Sequence, residues 1–416
     1  MLPRVVITGM GVVSPNGIGK EAFCRAILAG KSGVKRISRF DPSDLPVHIA
    51  GEIPEFDELA WVDARERKHV SRVVPLAVAA SSEAIGDAGL DPASMSMDEK
   101  REIGVILGTG GGAQEFSEEQ YRLWHSGQVK HVSLFCIPSG TMGTIPSEIS
   151  MRFGFRGYSH VVTAGCTSST DAIGYAYQHI QAGVQPMFLV GGVDSPITAG
   201  IIKGYTLLRA LTQSWNQAPE RASRPFSADR DGFVIAEGSW MFILEDYVHA
   251  RARGARIYAE IAGYASTCEA FHRVRMSDSP EEPARAITLA LEEARIAAEN
   301  VQYVNLHGTS TEMNDRVETR ALKLALGGPA SRIPMSGLKS QIGHAQGACG
   351  SASLAATLIA MEHGKIPPTI NLDVSDPECD LDYVPDVGRE AEIEHAICNC
   401  VGFGSKNSAL VLRKAA

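Results

Sequence analysis

Three residues of this chain stand where side-chain chemistry is readily built. Cys166 lies in Thr163-Ala-Gly-Cys-Thr-Ser-Ser, between a β-branched run and a helical stretch. A cysteine at a helix start faces unpaired N–H groups and the positive end of the macrodipole, which favour the nucleophilic thiolate. Gly165 permits a sharp turn and leaves the sulfur open to a substrate. The bland alternative is a structural thiol, because free cysteine is among the most buried residue types. None of the other seven cysteines has this setting, and Cys398 with Cys400 lacks the further clustered ligands that zinc needs. His307 closes the apolar run Tyr303-Val-Asn-Leu, and His344 follows Gly343 in Lys339-Ser-Gln-Ile-Gly-His. A Cys–His set performs acyl transfer. Two imidazoles can also donate hydrogen bonds to a thioester oxygen on which enolate charge develops. A Cys–His protease is the competing reading, but it has no use for a second histidine and a lysine here.

Such groups need elements that end at one place. Short β-branched runs alternate with Ala-rich stretches along the chain. Val5–Thr8 predicts a strand and Lys20–Ala29 a helix; Val73–Asp87 predicts a helix and Ile103–Leu107 a strand. Val161–Thr163 starts a buried strand that runs into a helix over Thr167–Ala182. There Ile173, Ala176, Tyr177 and Ile180 recur at helical spacing and Gly183 ends the helix. Met187–Val190 reads as the next buried strand. The alternation implies an α/β protein with buried strands, in which ligands collect at the strands' carboxyl ends. All three candidates lie there. After His344 the small residues Ala345, Gly347, Ala348, Gly350 and Ala352 let another backbone pack closely. No low-complexity linker divides the chain. Ile257-Tyr-Ala-Glu-Ile-Ala-Gly-Tyr shares the strand-then-glycine shape of Val5-Val-Ile-Thr-Gly-Met-Gly, a faint sign of two similar halves.

Bulk properties narrow the classes. At 416 residues, 44% hydrophobic and 21% charged, the chain has an ordinary globular balance, and its 41 glycines suit many tight strand-to-helix turns. A net charge of −9 argues against nucleic acid as the main partner. No run approaches the ~20 apolar residues of a membrane span, and the first residues read as a strand rather than a signal peptide. Eight unpatterned cysteines point to reduced thiols in the cytoplasm. Gly108-Thr-Gly-Gly-Gly-Ala lacks the Lys-Ser/Thr ending of a nucleotide cradle.

Taken in order, these segments resemble the condensing enzymes of the thiolase superfamily, specifically the β-ketoacyl-acyl-carrier-protein synthase II type. The resemblance runs from Val-Ile-Thr-Gly-Met-Gly-Val-Val-Ser-Pro at 6–15 to Gly402-Phe-Gly404. It implies a thiolase-like α/β fold: two pseudo-repeated halves, residues 1–255 and 256–416, in five α-β-α-β-α layers around a central site beside a dimer interface. It also implies decarboxylative Claisen condensation of a Cys166-bound acyl chain with malonyl-acyl-carrier protein. His307 and His344 would stabilise the enolate, and Lys339 would have Asp315 and Glu318 as acidic partners. The Cys166 and Phe403 amides would form the oxyanion hole, with Thr309 and Thr311 on the pantetheine arm and Phe403 as a gate. Phosphopantetheine travels on the carrier protein, so no resident cofactor or metal is implied.

Ala222-Ser-Arg-Pro-Phe, Asn314-Asp-Arg-Val-Glu-Thr, Met361-Glu-His and Pro377-Glu-Cys-Asp-Leu-Asp-Tyr-Val-Pro bring the chain nearest to ketosynthase-alpha subunits of type II polyketide synthases. Implied partners are an acyl carrier protein and either a second copy or a chain-length-factor-like subunit. Carrier proteins are acidic, which gives Arg65, Arg67, Lys68, Lys130 and Arg209 a docking role; a solvated helix face is the plainer reading. Fatty-acid elongation is the runner-up activity. A non-catalytic chain-length-factor role conflicts with the presence of Cys166, and a thiolase would want a second catalytic cysteine where Phe403 stands. Two departures from the family pattern bear on specificity. Ser405-Lys406 replaces a Gly-then-small sequence in the gating loop. Gly111 stands where an aliphatic residue often crowds the acyl pocket, which predicts a longer or bulkier primer.

Overall fold

The structure is a computed structural model and describes residues 2–415. Ten strands build the main sheet: β1 (Val5–Ser14), β2 (Ile103–Gly108), β3 (Ser159–Val162), β4 (Met187–Asp194), β5 (Gly238–Asp246), β6 (Ala259–Cys268), β7 (Tyr303–Asn305), β8 (Met335–Ser336), β9 (His395–Gly402) and β10 (Lys406–Arg413). A two-residue strand, Gly17–Ile18, turns back onto β1. The main helices are α1 (Val73–Asp87), α2 (Gln114–His125), α3 (Thr144–Phe153), α4 (Ser168–Gln181), α5 (Glu281–Ala294), α6 (Glu312–Leu326) and α7 (Cys349–His363).

The strand order shows an internal repeat that the sequence only hinted at. Outward from the middle it runs β1-β5-β4-β2-β3 on one side and β6-β10-β9-β7-β8 on the other. Each side places its own strands in the order first, fifth, fourth, second, third. The first two neighbouring pairs are antiparallel and the last two parallel on both sides. β1 and β6 pair antiparallel through Val5–Ile7 and Ala259–Ile261, so hydrogen bonding is continuous across the junction.

Three apolar cores hold five layers together. α1 and α3 cover the outer face of the first half, α4 and α7 fill the middle, and α5 and α6 cover the second half. β1 is buried along its whole length, which explains its continuous apolar run. β3 departs from expectation: it is the outermost strand, and Ser159 and His160 are exposed. The small residues after His344 have a clear use. A Cβ at Gly350 would lie 2.0 Å from Thr170 Oγ1, so only glycine lets α7 meet α4 this closely. Among the described residues no helix is long and apolar enough to cross a membrane.

α1 lies directly on β1. A Cβ at Gly11 would sit 2.0 Å from the Ala80 carbonyl oxygen and 2.6 Å from the Ala84 nitrogen, both helix backbone. Gly11→Ala therefore destabilises by about 1–3 kcal/mol or more through overpacking. The urea midpoint reads this directly; a midpoint unchanged from wild type would contradict such close packing.

Candidate active site

Cys166 sits in a turn stapled by its own neighbours. Gly165 takes φ +71°, a conformation that disfavours other residues. Ser168 Oγ accepts from the Ala164 amide (2.8 Å) and donates to the Gly165 carbonyl (2.6 Å), while Thr167 Oγ1 donates to the Ala164 carbonyl (3.1 Å). The hydroxyl cluster after the cysteine thus fixes the turn and aims the sulfur. Cys166 is 6% exposed and immediately precedes the cap of α4.

His307 lies two residues beyond β7, and Glu318 of α6 holds it from behind. The Glu318 carboxylate accepts from the amides of His307 (2.7 Å) and Gly308 (2.8 Å) and from Asn399 Nδ2 (2.6 Å). Asp315 accepts from the amides of Thr309 and Phe226, with Arg230 3.5 Å away. The expected pairing of these acids with Lys339 is not seen. Lys339, 3% exposed, donates to the His307 carbonyl (2.5 Å) and faces His307 Nδ1 at 3.3 Å. Among the described residues no carboxylate lies within 4.0 Å of Lys339 Nζ. The acids satisfy buried amides of the loop instead, because peptide N–H groups taken out of water need acceptors.

His344 reaches the site by bridging the halves. Its amide donates to the Val234 carbonyl (2.7 Å), and its carbonyl accepts from the Ala236 amide (3.0 Å). The Gln346 amide donates to His344 Nδ1 at 3.0 Å. Both imidazoles therefore have Nδ1 occupied by a donor, which places each ring's own proton on Nε2. The ligand atoms of Cys166, His307 and His344 lie within 4.8 Å of one another, and the two rings meet edge-on with centroids 5.5 Å apart.

Burial governs the protonation states. It pushes both imidazoles well below the ordinary histidine value, and the Lys339 charge adds to this. Both are neutral donors. Burial also pushes the Cys166 thiol up, to about 12, against the opposing hydrogen bond from the Phe403 amide and the Lys339 charge. Loss of water around the sulfur thus opposes the thiolate that the helix N-terminus favours.

A cavity of about 420 Å³ opens onto Cys166, His307 and His344. Thr309, Thr311 and Asn314 form a polar stripe in it, whereas Phe233, Phe271, Met313 and Phe403 make apolar walls. Thr309 and Thr311 hydroxyls share one hydrogen bond of 2.8 Å. Phe403 is half-buried at the cavity. The adjoining Ser405 has φ +64°, and its hydroxyl holds the Phe271 and His272 amides, so this departure ties the loop to residues 269–272. Lys406 begins β10 and pairs with Cys268.

Gly111 lies outside the lining of this cavity; its amide donates to Asp194 at 2.9 Å. Thr109 Oγ1 and the amides of Gly110, Gly111, Gly112 and Gly347 all converge on the buried Asp194 carboxylate. The glycine-rich loop does cradle an anion, but an internal one. Asp194, Gln346 and Phe233 were missed by sequence reading; the signal was Gly191-Gly-Val-Asp at a strand end, paired with that loop. Of the basic residues, Arg65, Lys68, Lys130 and Arg209 are exposed, and Arg209 lines the cavity. Arg67 is half-buried and ion-paired with Glu58, which also holds Arg72.

A buried thiol and two neutral imidazoles open on a largely apolar cavity of a thiolase-like fold, the setting of an acyl-transferring condensing enzyme. Residues 3–250 match the family described as beta-ketoacyl synthase, N-terminal domain, and residues 258–373 match its C-terminal domain. The chain belongs to the beta-ketoacyl synthase family. It is 40% identical to the tetracenomycin polyketide synthase ketoacyl synthase alpha subunit of Streptomyces glaucescens, covering 99% of this chain and 97% of that one. It is 39% identical to 3-oxoacyl-[acyl-carrier-protein] synthase 2 of Synechocystis, covering 99% and 98%. The solved ishigamide ketosynthase/chain length factor matches with a TM-score of 0.91 at 31% identity, over all of both chains.

With both Nδ1 atoms occupied and burial opposing charge, the two rings stay neutral as pH falls through 6.5. Imidazole 15N NMR of His307 and His344 is expected to show the Nε2–H tautomer above and below that pH. Titration of either ring at 6.5 or higher would contradict the assignment.

Proposed function

We propose that this protein is a ketosynthase that condenses a Cys166-bound acyl chain with malonyl-acyl-carrier protein, losing carbon dioxide, in type II polyketide biosynthesis. The observation that carries the reading is the pair of neutral imidazoles beside the thiol, each with Nδ1 satisfied and Nε2–H free to donate. In the first half-reaction Cys166 sulfur attacks an acyl-carrier thioester. Its proton leaves with the departing carrier thiol, and the Cys166 and Phe403 amides hold the tetrahedral oxyanion. In the second, the malonyl carboxylate leaves as carbon dioxide and its bonding electrons pass to the α-carbon. His307 and His344 donate to the thioester oxygen as enolate charge grows there. The α-carbon then attacks the Cys166 thioester, and the sulfur departs and recovers a proton.

Lys339 is a positioning residue for His307. Asp315 and Glu318 hold the loop that carries His307 and Thr309, while Thr309 and Thr311 bind the pantetheine arm and Phe403 gates the cavity. The enzyme needs no resident cofactor, because phosphopantetheine arrives on the carrier. Arg65, Lys68, Lys130 and Arg209 steer the acidic carrier to the cavity; Arg67 is largely neutralised by Glu58. The boundary between halves falls at 255/256, and the free cysteines suit a reducing cytoplasm. The exposed edge of β3, with Trp124, Leu134, Ile137, Met151 and Tyr158 exposed on neighbouring elements, is the surface for a second subunit. That subunit is a chain-length-factor-like partner or a second copy. Fatty-acid elongation remains the second reading, favoured by the similarity to the Synechocystis synthase.

His344→Ala removes one of the two enolate donors and leaves the nucleophile in place. Condensation should fall by about 10²–10³ in kcat, while intact-mass analysis still shows acyl transfer to Cys166. A variant without acyl-Cys166 would refute this division of labour.

A further inference from the structure

Behind Cys166 lies a second cluster that the condensation does not use. Cys349 opens α7, Cys400 lies on β9, and both are buried. Their Sγ atoms are 3.8 Å apart, and Cys400 Sγ is 3.6 Å from His307 Nδ1. Each sulfur is 3.3 Å from the Cys166 carbonyl oxygen. The ligand atoms of His307, Cys349 and Cys400 all lie within 4.8 Å of one another. Cys398, two positions before Cys400, is not part of this group; its sulfur meets Thr357.

Two of these distances, the S···S separation and Cys400 Sγ to His307 Nδ1, match edges of a coordination tetrahedron. Zn2+ bonds of about 2.3 Å to sulfur and about 2.0–2.1 Å to imidazole nitrogen require S···S edges of about 3.8 Å and S···N edges of about 3.6 Å. A carbonyl oxygen close to both sulfurs offers the fourth corner. Lys339 is the cation that faces the site among the described residues, and it keeps its bond to the His307 carbonyl if it yields Nδ1. Two thiolates balance the divalent charge.

We propose that Cys349, Cys400 and His307 Nδ1, with the Cys166 carbonyl oxygen, form an inhibitory site for a thiophilic divalent cation of the Zn2+ type. Binding releases two thiol protons to solvent and moves no electrons, so it tightens as pH rises. The bound ion takes the nitrogen that faces Lys339 and puts positive charge behind the imidazole. The inhibitory part rests on the role proposed above for His307; binding itself does not.

The test is a titration of the full-length protein with Cd2+, read by the ultraviolet sulfur-to-metal charge-transfer band. Wild type and Cys166→Ala are expected to give the band with a single-equivalent end point, and Cys349→Ala and Cys400→Ala to lose it. X-ray absorption of the Zn2+-loaded wild type, which needs no variant to fold, should show two sulfur ligands at about 2.3 Å. No band in wild type, or a band surviving in both Cys349→Ala and Cys400→Ala, would overturn the site. Loss of the band in Cys166→Ala would also overturn it, by placing the ion on Cys166, His307 and His344. Zn2+ that binds at this site yet leaves wild-type condensation intact would overturn the inhibition alone.

Discussion

The site depends on one close contact, where the N-terminal ends of α4 and α7 meet almost backbone to backbone. Gly350 of α7 fits against Thr170 of α4, and the Ser351 amide donates to Ser169 Oγ at 2.9 Å. Cys166 precedes the first helix, and His344 precedes the second by a few residues. Neither half holds the thiol and both imidazoles. Their meeting brings a thiol from the first half within reach of two imidazoles from the second. Asp194 locks the arrangement by accepting from the 109–112 loop on one side and from Gly347 on the other. Widening this contact by one side chain would separate the nucleophile from its partners.

Such tight packing makes the centre dry, and dryness sets the chemistry. Buried imidazoles shed charge and become neutral donors; a buried thiol keeps its proton until a substrate arrives. Hydrogen bonds offered to a developing enolate in that medium act more strongly than in water and need no reorganisation. The same logic explains why the acids of α6 bind backbone amides: each buried N–H of the His307 loop requires an acceptor, and Glu318 and Asp315 supply them.

The thiol and the two imidazoles that meet in this site could be picked out of the sequence because their settings leave local marks. Cys166 and His307 follow strands and adjoin glycine or hydroxyl turns, and His344 follows a glycine; Val73–Asp87 was readable to the residue from its apolar, Ala-rich composition. What escaped notice was long-range. Asp194 and the 109–112 loop look unrelated along the chain, and Cys349 and Cys400 are far apart in sequence though their sulfurs nearly touch. The acidic partners that the resemblance implied for Lys339 face peptide N–H groups instead, and a family likeness does not reveal which buried group a carboxylate satisfies. Burial of β3 was misjudged for a related reason: an apolar run does not say whether its strand lies inside a sheet or at its edge. The repeated strand order, by contrast, survives with hardly any sequence likeness between the halves, because it is carried by topology.

The central claim is that enolate stabilisation by His307 and His344 is separable from the nucleophile. It is tested most directly by measuring carbon dioxide release from malonyl-acyl-carrier protein by the Cys166→Ala protein. The account predicts that this variant still decarboxylates malonyl units while forming no condensed product. A Cys166→Ala protein that folds and binds the carrier substrate yet releases no carbon dioxide would contradict it.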